Sequence, residues 1–365
     1  MTGHQDRGVA PTTAVSLRDG TGRTGRARTA TGARRSRRRA PFVGAVLLPV
    51  VLLAGCATPL PQAAPEPAPA VPPPAVTVAQ AQRVLDAVAE VVAAGDEAND
   101  AAGLGARLDG PALATRTAEY VRNTVTEGAK APTALPFEEQ ALIVPETDTW
   151  PRTQLVVTEQ PADLQAPRVL VLRQSAPREP YKLWGWARLL PSTQMPATAA
   201  PEVGSETLAP DSDALLVTPT DALAQYADVL TNGDGSPFAA SFAPDAFRTA
   251  VEASRAGLVG QLTDVATLAE TYTPAAEPVV TLATVDGGAI VVGDLTTTAT
   301  MTVAVEGGKL KIDALASALA GGATEAGTYA TTYTGVVVLY VPPAGSDAQV
   351  QVLAGEQVVT GASVQ

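Results

Sequence analysis

The sequence predicts an α+β protein of two tandem domains, each with helices packed on a curved antiparallel sheet. Three observations predict it. Two segments, after Val76 and after Val217, open alike, with a capped amphipathic helix and then a second helix. Each pair of helices is followed by strand-like runs rich in Val, Thr and Leu. A stretch poor in apolar residues, Pro191 to Asp213, separates the two series. Helices laid on one face of an antiparallel sheet make an α+β arrangement.

The chain begins with a different kind of segment. Residues 1–55 are polar and basic as far as Arg34-Arg35-Ser36-Arg37-Arg38-Arg39, then apolar from Phe42 to Leu53. An apolar run of roughly a dozen residues is shorter than the ~20 a spanning helix needs. A basic region, a short apolar region and a small-residue cleavage site read as a secretory signal, here 1–55. Leu53-Ala54-Gly55-Cys56 resembles the lipobox of bacterial lipoproteins. That resemblance implies cleavage before Cys56, lipid on its sulfur and attachment to the outer face of the cell membrane. Two or more acyl chains anchor stably where one binds reversibly. The twin-arginine reading of Ser36-Arg37-Arg38-Arg39 fits poorly because Ala40-Pro41 follows, so the general secretory route is favoured. Residues 56–75 carry a Pro/Ala-rich tether, extended at roughly 3 Å per residue and reaching on the order of 50 Å.

The first domain spans 76–195. Thr77 with Gln80 reads as a capping box. Val84, Leu85, Val88, Val91 and Val92 share one side of the helix, and Gly95-Asp96 stops it. Leu108-Asp109-Gly110-Pro111-Ala112-Leu113 opens a second helix that runs through Tyr120-Val121, and strands follow over 141–145, 153–158, 168–174 and 181–190. The second domain spans 212–365. Thr218 caps with Asp221, Pro219 occupies the first turn, and Leu223, Tyr226, Ala227 and Leu230 form the apolar stripe up to Asn232-Gly233-Asp234. Phe242-Ala243-Pro244-Asp245-Ala246-Phe247 opens the counterpart second helix. Strands are expected over 279–284, 289–305, 309–312, 329–341 and 349–353.

This order of elements resembles the NTF2-like or cystatin-like cone. With the lipobox, the Pro/Ala tether and the segment Tyr181-Lys182-Leu183-Trp184-Gly185-Trp186, the chain also resembles a group of actinobacterial lipoproteins of unknown function with two such domains. The resemblance implies a fold and no activity.

Composition narrows the chemistry. The leader holds ten of the 25 basic and two of the 37 acidic residues, so the remainder carries 15 basic against 35 acidic. Such an exterior keeps a protein soluble and lacks the basic footprint of nucleic-acid binding. With one Cys no disulfide framework forms, and the about 290 residues after the tether suffice for two packed domains. The single His, His4, lies in the leader. A Ser-His-Asp hydrolase, a cysteine nucleophile and a His/Cys zinc site are therefore all excluded after cleavage. No phosphate-binding loop or dinucleotide fingerprint is present, and Lys130, Lys182, Lys309 and Lys311 lack a Ser-x-x-Lys setting.

Carboxylates remain. Glu138-Glu139 reads as a solvated pair, and Asp211-Ser212-Asp213 and Asn232-Gly233-Asp234-Gly235 read as turns that lack the closing Glu of a calcium loop. Cones of the resembled family host isomerase or hydrolase chemistry with an Asp and a Tyr. Tyr120, Tyr226, Asp148 and Asp294 are the candidates here. The densest aromatic patch is Trp150, Tyr181, Trp184 and Trp186. Trp184 and Trp186 are two apart, so on a strand they share a face. The four form either a candidate ligand pocket or the filling between sheet and helices, the commoner use. The expectation is a membrane-anchored, non-catalytic binding or assembly module with no cofactor and no metal. Its partner is another envelope protein or a small apolar ligand; an Asp/Glu–Tyr enzyme is the alternative.

Overall fold

Helix α1 (Val78–Ala98) begins where the sequence places it. The structure, a computed structural model, describes residues 72–161, 165–262 and 264–365; the leader, Cys56 and the Pro/Ala stretch through residue 71 lie outside these. Thr77 Oγ1 accepts from the Gln80 amide, and Gln80 Oε1 accepts from the Thr77 amide at 2.8 Å, so the capping box is complete. Ala81, Leu85, Val88 and Val92 form the buried stripe. The helix does not stop at Gly95. It ends at Asn99, whose φ of 47° supplies the left-handed cap. Gly95 serves close approach instead: a Cβ there would stand 2.7 Å from Leu104 Cδ2 and from the Tyr120 hydroxyl.

After a single 3₁₀ turn (Leu104–Ala106), α2 (Gly110–Val125) follows with Asp109 at its cap. The first half continues with β1 (Glu139–Ile143), β2 (Pro145–Glu146), β3 (Arg152–Thr158), β4 (Arg168–Gln174) and β5 (Lys182–Leu189). The second half contains β6 (Ser205–Glu206), α3 (Pro219–Asn232), α4 (Ala246–Leu262), β7 (Ala266–Pro274), β8 (Val280–Ala283) and β9 (Ala289–Val303). It closes with β10 (Leu310–Lys311), α5 (Ala314–Leu319), β11 (Glu325–Ala326), β12 (Thr328–Val341) and β13 (Gln351–Val364).

Besides the two-residue strands β6 and β11, three elements are absent from the sequence expectation or longer than it. Strand β7 has only Tyr272 buried and no apolar run; it is held by antiparallel pairing along 295–303 of β9. Strand β13 continues past Leu353 through Gly355, Glu356 and Gly361 because it pairs along nearly all of β12. At Gly355 a Cβ would stand 2.8 Å from the Phe247 ring, so the glycine admits α4 to the sheet. Short helix α5 is capped by Asp313, whose Oδ1 accepts from the Leu315 and Ala316 amides at 2.9 and 3.0 Å.

The strands of the two halves form one nine-stranded sheet, in the order β1-β3-β4-β5-β13-β12-β9-β7, with β8 also on β9. Its pairings are antiparallel. The junction is short: Leu189 pairs with Ala354 and Arg188 with Gly355. Around it, Glu356 bridges Arg168 at 2.8 Å and Arg188 at 3.4 Å.

Burial gives the layering. Helices α1 and α2 share a core with one face of the first-half strands, through Leu85, Val88, Val156, Leu170 and Trp186. Helices α3 and α4 do the same in the second half, through Leu223, Tyr226, Phe247, Val291 and Leu339. A third core joins the halves. Leu155, Val169, Val171 and Trp184 from the first half pack with Leu282, Ile290, Val292, Val336 and Val338 from the second. The two half-sheets therefore pack back to back between outer helical layers. At about 1.5–3 kcal/mol per buried Val, Leu or Ile, that contact is comparable with the roughly 5–15 kcal/mol net stability of a folded protein.

The stretch 191–213, read from sequence as the boundary, is tied to both halves. Strand β6 pairs in parallel with β2, Ser205 N donates to Val144 O at 2.8 Å, and Leu208 N donates to Thr281 O at 3.0 Å. The chain from 72 onward is thus an α+β unit with a large antiparallel sheet.

Candidate functional site

Among the described residues the surface opens into several recesses. The first surrounds the beginning of α1 and holds two of the four aromatic candidates. Gln80, Arg83 and Val84 come from α1, Arg107 follows the 3₁₀ turn, Trp150 and Arg152 come from the start of β3, and Gln174 and Tyr181 flank the β4–β5 turn. The cleft measures about 440 Å³, within the roughly 300–1,000 Å³ usual for small-molecule sites. Trp150 is 37% exposed, and its indole N–H donates to Gln174 Oε1 at 3.0 Å. The Arg152 guanidinium lies 3.9 Å from the centre of the Trp150 ring system, a cation–π contact. Arg152 also donates to the Thr149 carbonyl at 3.1 Å and the Ala75 carbonyl at 3.4 Å. Arg107 donates to the Tyr181 carbonyl at 3.4 Å. Tyr181 is 6% exposed and its hydroxyl has no hydrogen-bond partner. Burial pushes that phenol up to about 12, with Arg152 opposing, so it stays protonated at neutral pH.

Trp184 and Trp186 are elsewhere, and they do not share a face. Leu183 pairs with Leu172 and Gly185 with Val171, which leaves Trp184 as the extra residue of a β-bulge. The bulge shifts the alternation by one position. Trp184 enters the shared core between the half-sheets, and Trp186 enters the core beneath α2. There the Arg116 guanidinium lies 5.4 Å from the Trp186 ring centre. Arg116 is fully buried; it pairs with Glu119 at 3.2 Å and donates to the Thr133 carbonyl at 2.8 Å. Glu119 in turn accepts from the Thr133 hydroxyl and amide. This network fills the space under α2.

The second recess runs along α4. A cavity of about 820 Å³ is bordered by Leu190, Pro191, Pro244, Asp245, Ala250 and Val352. Another of about 480 Å³ shares Leu190, Pro191, Ala246 and Ala250 with it and extends to Phe247 and Glu356. The helix face here carries the small side chains of Ala246, Ala250, Ala253 and Ser254, and Phe247, Val251 and Leu262 are the buried residues of the helix. Asp245 stands at its start. Asp245 Oδ1 accepts from the Tyr226 hydroxyl at 3.1 Å and the Arg248 amide at 2.7 Å, while Oδ2 is buried without a hydrogen-bond partner. Burial raises this carboxyl above its ordinary value, against the hydrogen bonds from Arg248 and Tyr226. The same burial, together with Asp245, raises Tyr226.

The other carboxylate and tyrosine candidates are dispersed. Tyr120 donates to Asp96 at 2.7 Å between α1 and α2. Asp148 is exposed beside a further recess of about 360 Å³ that it lines with Thr149, Trp150 and Pro210. Asp294 lies on β9, raised by burial. Asp234 of the turn after α3 pairs with Arg248 at 2.6 Å. Among the described residues no group of three or more Asp, Glu, His or Cys side chains is placed to hold a metal, and no helix is long and apolar enough to cross a membrane. Arg83, Arg107 and Arg152 escaped sequence reasoning. They are far apart in the chain and share no motif, so only the fold brings them together.

Comparison with curated proteins and with solved structures gives no match. A family model described as a domain of unknown function, DUF8094, matches residues 72–364, a stretch that runs through both halves without a break. The chain belongs to the DUF8094 family.

Proposed function

We propose that this protein is a lipoprotein anchored to the outer face of the cell membrane through Cys56, and that it works there as a non-catalytic binding module. We also propose that each half descends from an NTF2-like or cystatin-like domain. Two helices, followed by antiparallel strands that they cover on one face, occur in each half and support that descent.

The observation that carries the binding role is the recess along α4. It is large, open and bordered mostly by small and apolar side chains, which suits a small apolar ligand. The Asp245–Tyr226 pair favours the enzyme alternative, since it joins a buried, raised carboxyl to a tyrosine beside a cavity. Against it, Tyr226 has no exposed surface and spends its hydroxyl on Asp245, so the two cannot meet a substrate together.

Two experiments test the reading. Metabolic labelling with a radioactive fatty acid should mark the wild-type chain and leave Cys56→Ala unlabelled; equal labelling rejects the anchor. The neutral dye N-phenyl-1-naphthylamine should gain fluorescence with the full-length chain and lose most of that gain with Ala250→Trp, which fills the recess from its shared wall. An unchanged signal in the variant removes the recess as the site.

A further inference from the structure

We infer that the cleft at the start of α1 is a binding site for the anionic group of a small organic molecule, a phosphate or a carboxylate, held by Arg83, Arg107 and Arg152. This site is separate from the α4 recess and its assignment does not depend on that one.

The charge distribution is the first argument. The chain after position 55 carries 35 acids against 15 bases, and most of its arginines are neutralised. Arg116, Arg122, Arg168, Arg188, Arg248 and Arg255 each meet a carboxylate within 3.4 Å. The cleft departs from this pattern. It gathers three arginines, and no Asp or Glu is in its wall. Among the described residues none of the three is ion-paired, and the Arg83 guanidinium makes no hydrogen bond. An arginine presents five N–H donors in a planar fork that matches carboxylate or phosphate oxygens. Arg107 commits one nitrogen and Arg152 two to backbone carbonyls, which orient the guanidinium groups while leaving donors free. Arg152 is further fixed against Trp150.

The second argument is independent of charge. Tyr181 forms part of the wall, is more than nine-tenths buried, and has a hydroxyl with no partner. A buried hydroxyl left unbonded carries a desolvation cost that a bound acceptor would relieve. The hydroxyl itself is closed off from the cleft, so an anion oxygen would accept from it once the wall beside it gives way on binding. Val76 and Val84 supply apolar wall for the rest of the ligand. The anion could be free in solution or carried on a lipid headgroup, since both present the same oxygens.

The test uses the full-length chain with Cys56→Ala, so that lipid on the protein plays no part. Phenyl phosphate is titrated while the emission of Trp150 is followed, with Trp150→Phe identifying its share of the signal. Large vesicles of phosphatidylglycerol, against phosphatidylcholine, form the second arm. Saturable binding of phenyl phosphate that weakens at least tenfold in Arg83→Ala and in Arg107→Ala supports a soluble ligand. Binding only to phosphatidylglycerol vesicles, with the same loss in both variants, supports a headgroup. Tyr181→Phe should weaken either by several-fold while the Trp150 spectrum of the free protein is retained. Absence of saturable binding in both arms, or binding that the arginine variants leave unchanged, overturns the assignment. Arg83 is exposed on α1, so its variant keeps the fold and a negative result there is decisive.

Discussion

Back-to-back packing of the half-sheets makes a prediction that two independent domains would not. Leu282 on β8 belongs to the second half, is fully buried and packs in the core shared with Leu155, Val169 and Trp184. Replacing it with Ala should cost about 2–5 kcal/mol, the range for a fully buried leucine that leaves a cavity. All three tryptophans, Trp150, Trp184 and Trp186, lie in the first half. Trp150 and Trp186, outside the shared core, therefore report unfolding of the half that was not mutated, Trp184 reports the shared core, and far-UV circular dichroism reports both halves. With a urea slope of about 3 kcal/mol per molar, a loss of ~3 kcal/mol moves the midpoint down by about 1 M. The expected result is one transition, coincident by both probes, shifted by that amount in Leu282→Ala. A tryptophan midpoint that stays at its wild-type value while the dichroism splits into two steps would refute the shared core as a cooperative element.

Other perturbations test the joints. Glu356→Gln leaves Arg168, whose side chain is 3% exposed, without its charged partner; a loss of roughly 3 kcal/mol is expected by urea titration, against little for Arg188→Ala, which is mostly in solvent. Gly95→Ala should destabilise despite the better helix propensity of Ala, which is worth about 1 kcal/mol, because the added methyl collides with Leu104 and Tyr120; a raised melting temperature would contradict the contact. Asp245→Asn addresses pH. The native carboxyl is raised above 3.8 and so binds its proton more readily than the unfolded chain, and wild-type stability relative to the variant should decline as pH rises from 3.8 through the native value and then level off. The opposite slope in unfolding titrations would mean that the carboxylate is stabilised in the fold.

Local signals carried much of this fold. Thr77, Gln80, Thr218 and Pro219 mark helix starts that the structure reproduces, because capping is settled within four residues. Strands β3, β4 and β12 were legible as apolar runs. What those runs implied was less plain. A strand covered on one face alternates, whereas 169–172 and 336–339 are apolar at every position, the mark of burial on both faces. Helices account for one face, and the shared core accounts for the other. Strand β7 left no apolar run because it lies at the sheet edge. The aromatic patch was only half legible for a local reason: a single bulged residue at Trp184 reverses the facing of everything before it. The arginine cleft had no linear signature at all, since α1, the segment after the 3₁₀ turn, β3 and the β4–β5 turn each contribute one part.

The double packing also decides where binding can occur. In an isolated helix-covered sheet the space between helices and strands can open into a pocket. In the first half that space holds Trp186, the buried Arg116–Glu119 pair and the Thr133 backbone, so a ligand would have to displace an ion pair that has no access to water. Removing one member of such a pair strands the other at a cost of several kcal/mol, which no small ligand readily offsets. The opposite face of the sheet is closed by the other half. Binding is thereby driven to the rims, where the start of α1 and the small-residue face of α4 leave room. These two rims differ in kind. The α1 cleft is cationic, with Arg107 and Arg152 already fixed by carbonyls and by Trp150, and so is suited to a defined anion. The α4 recess is broad and of mixed polarity with an apolar majority, and its helix is anchored by few buried residues, so a ligand there can gain contacts as the helix settles onto it. If both sites are occupied in the cell, they need not compete, because they share no wall residue and differ in chemistry.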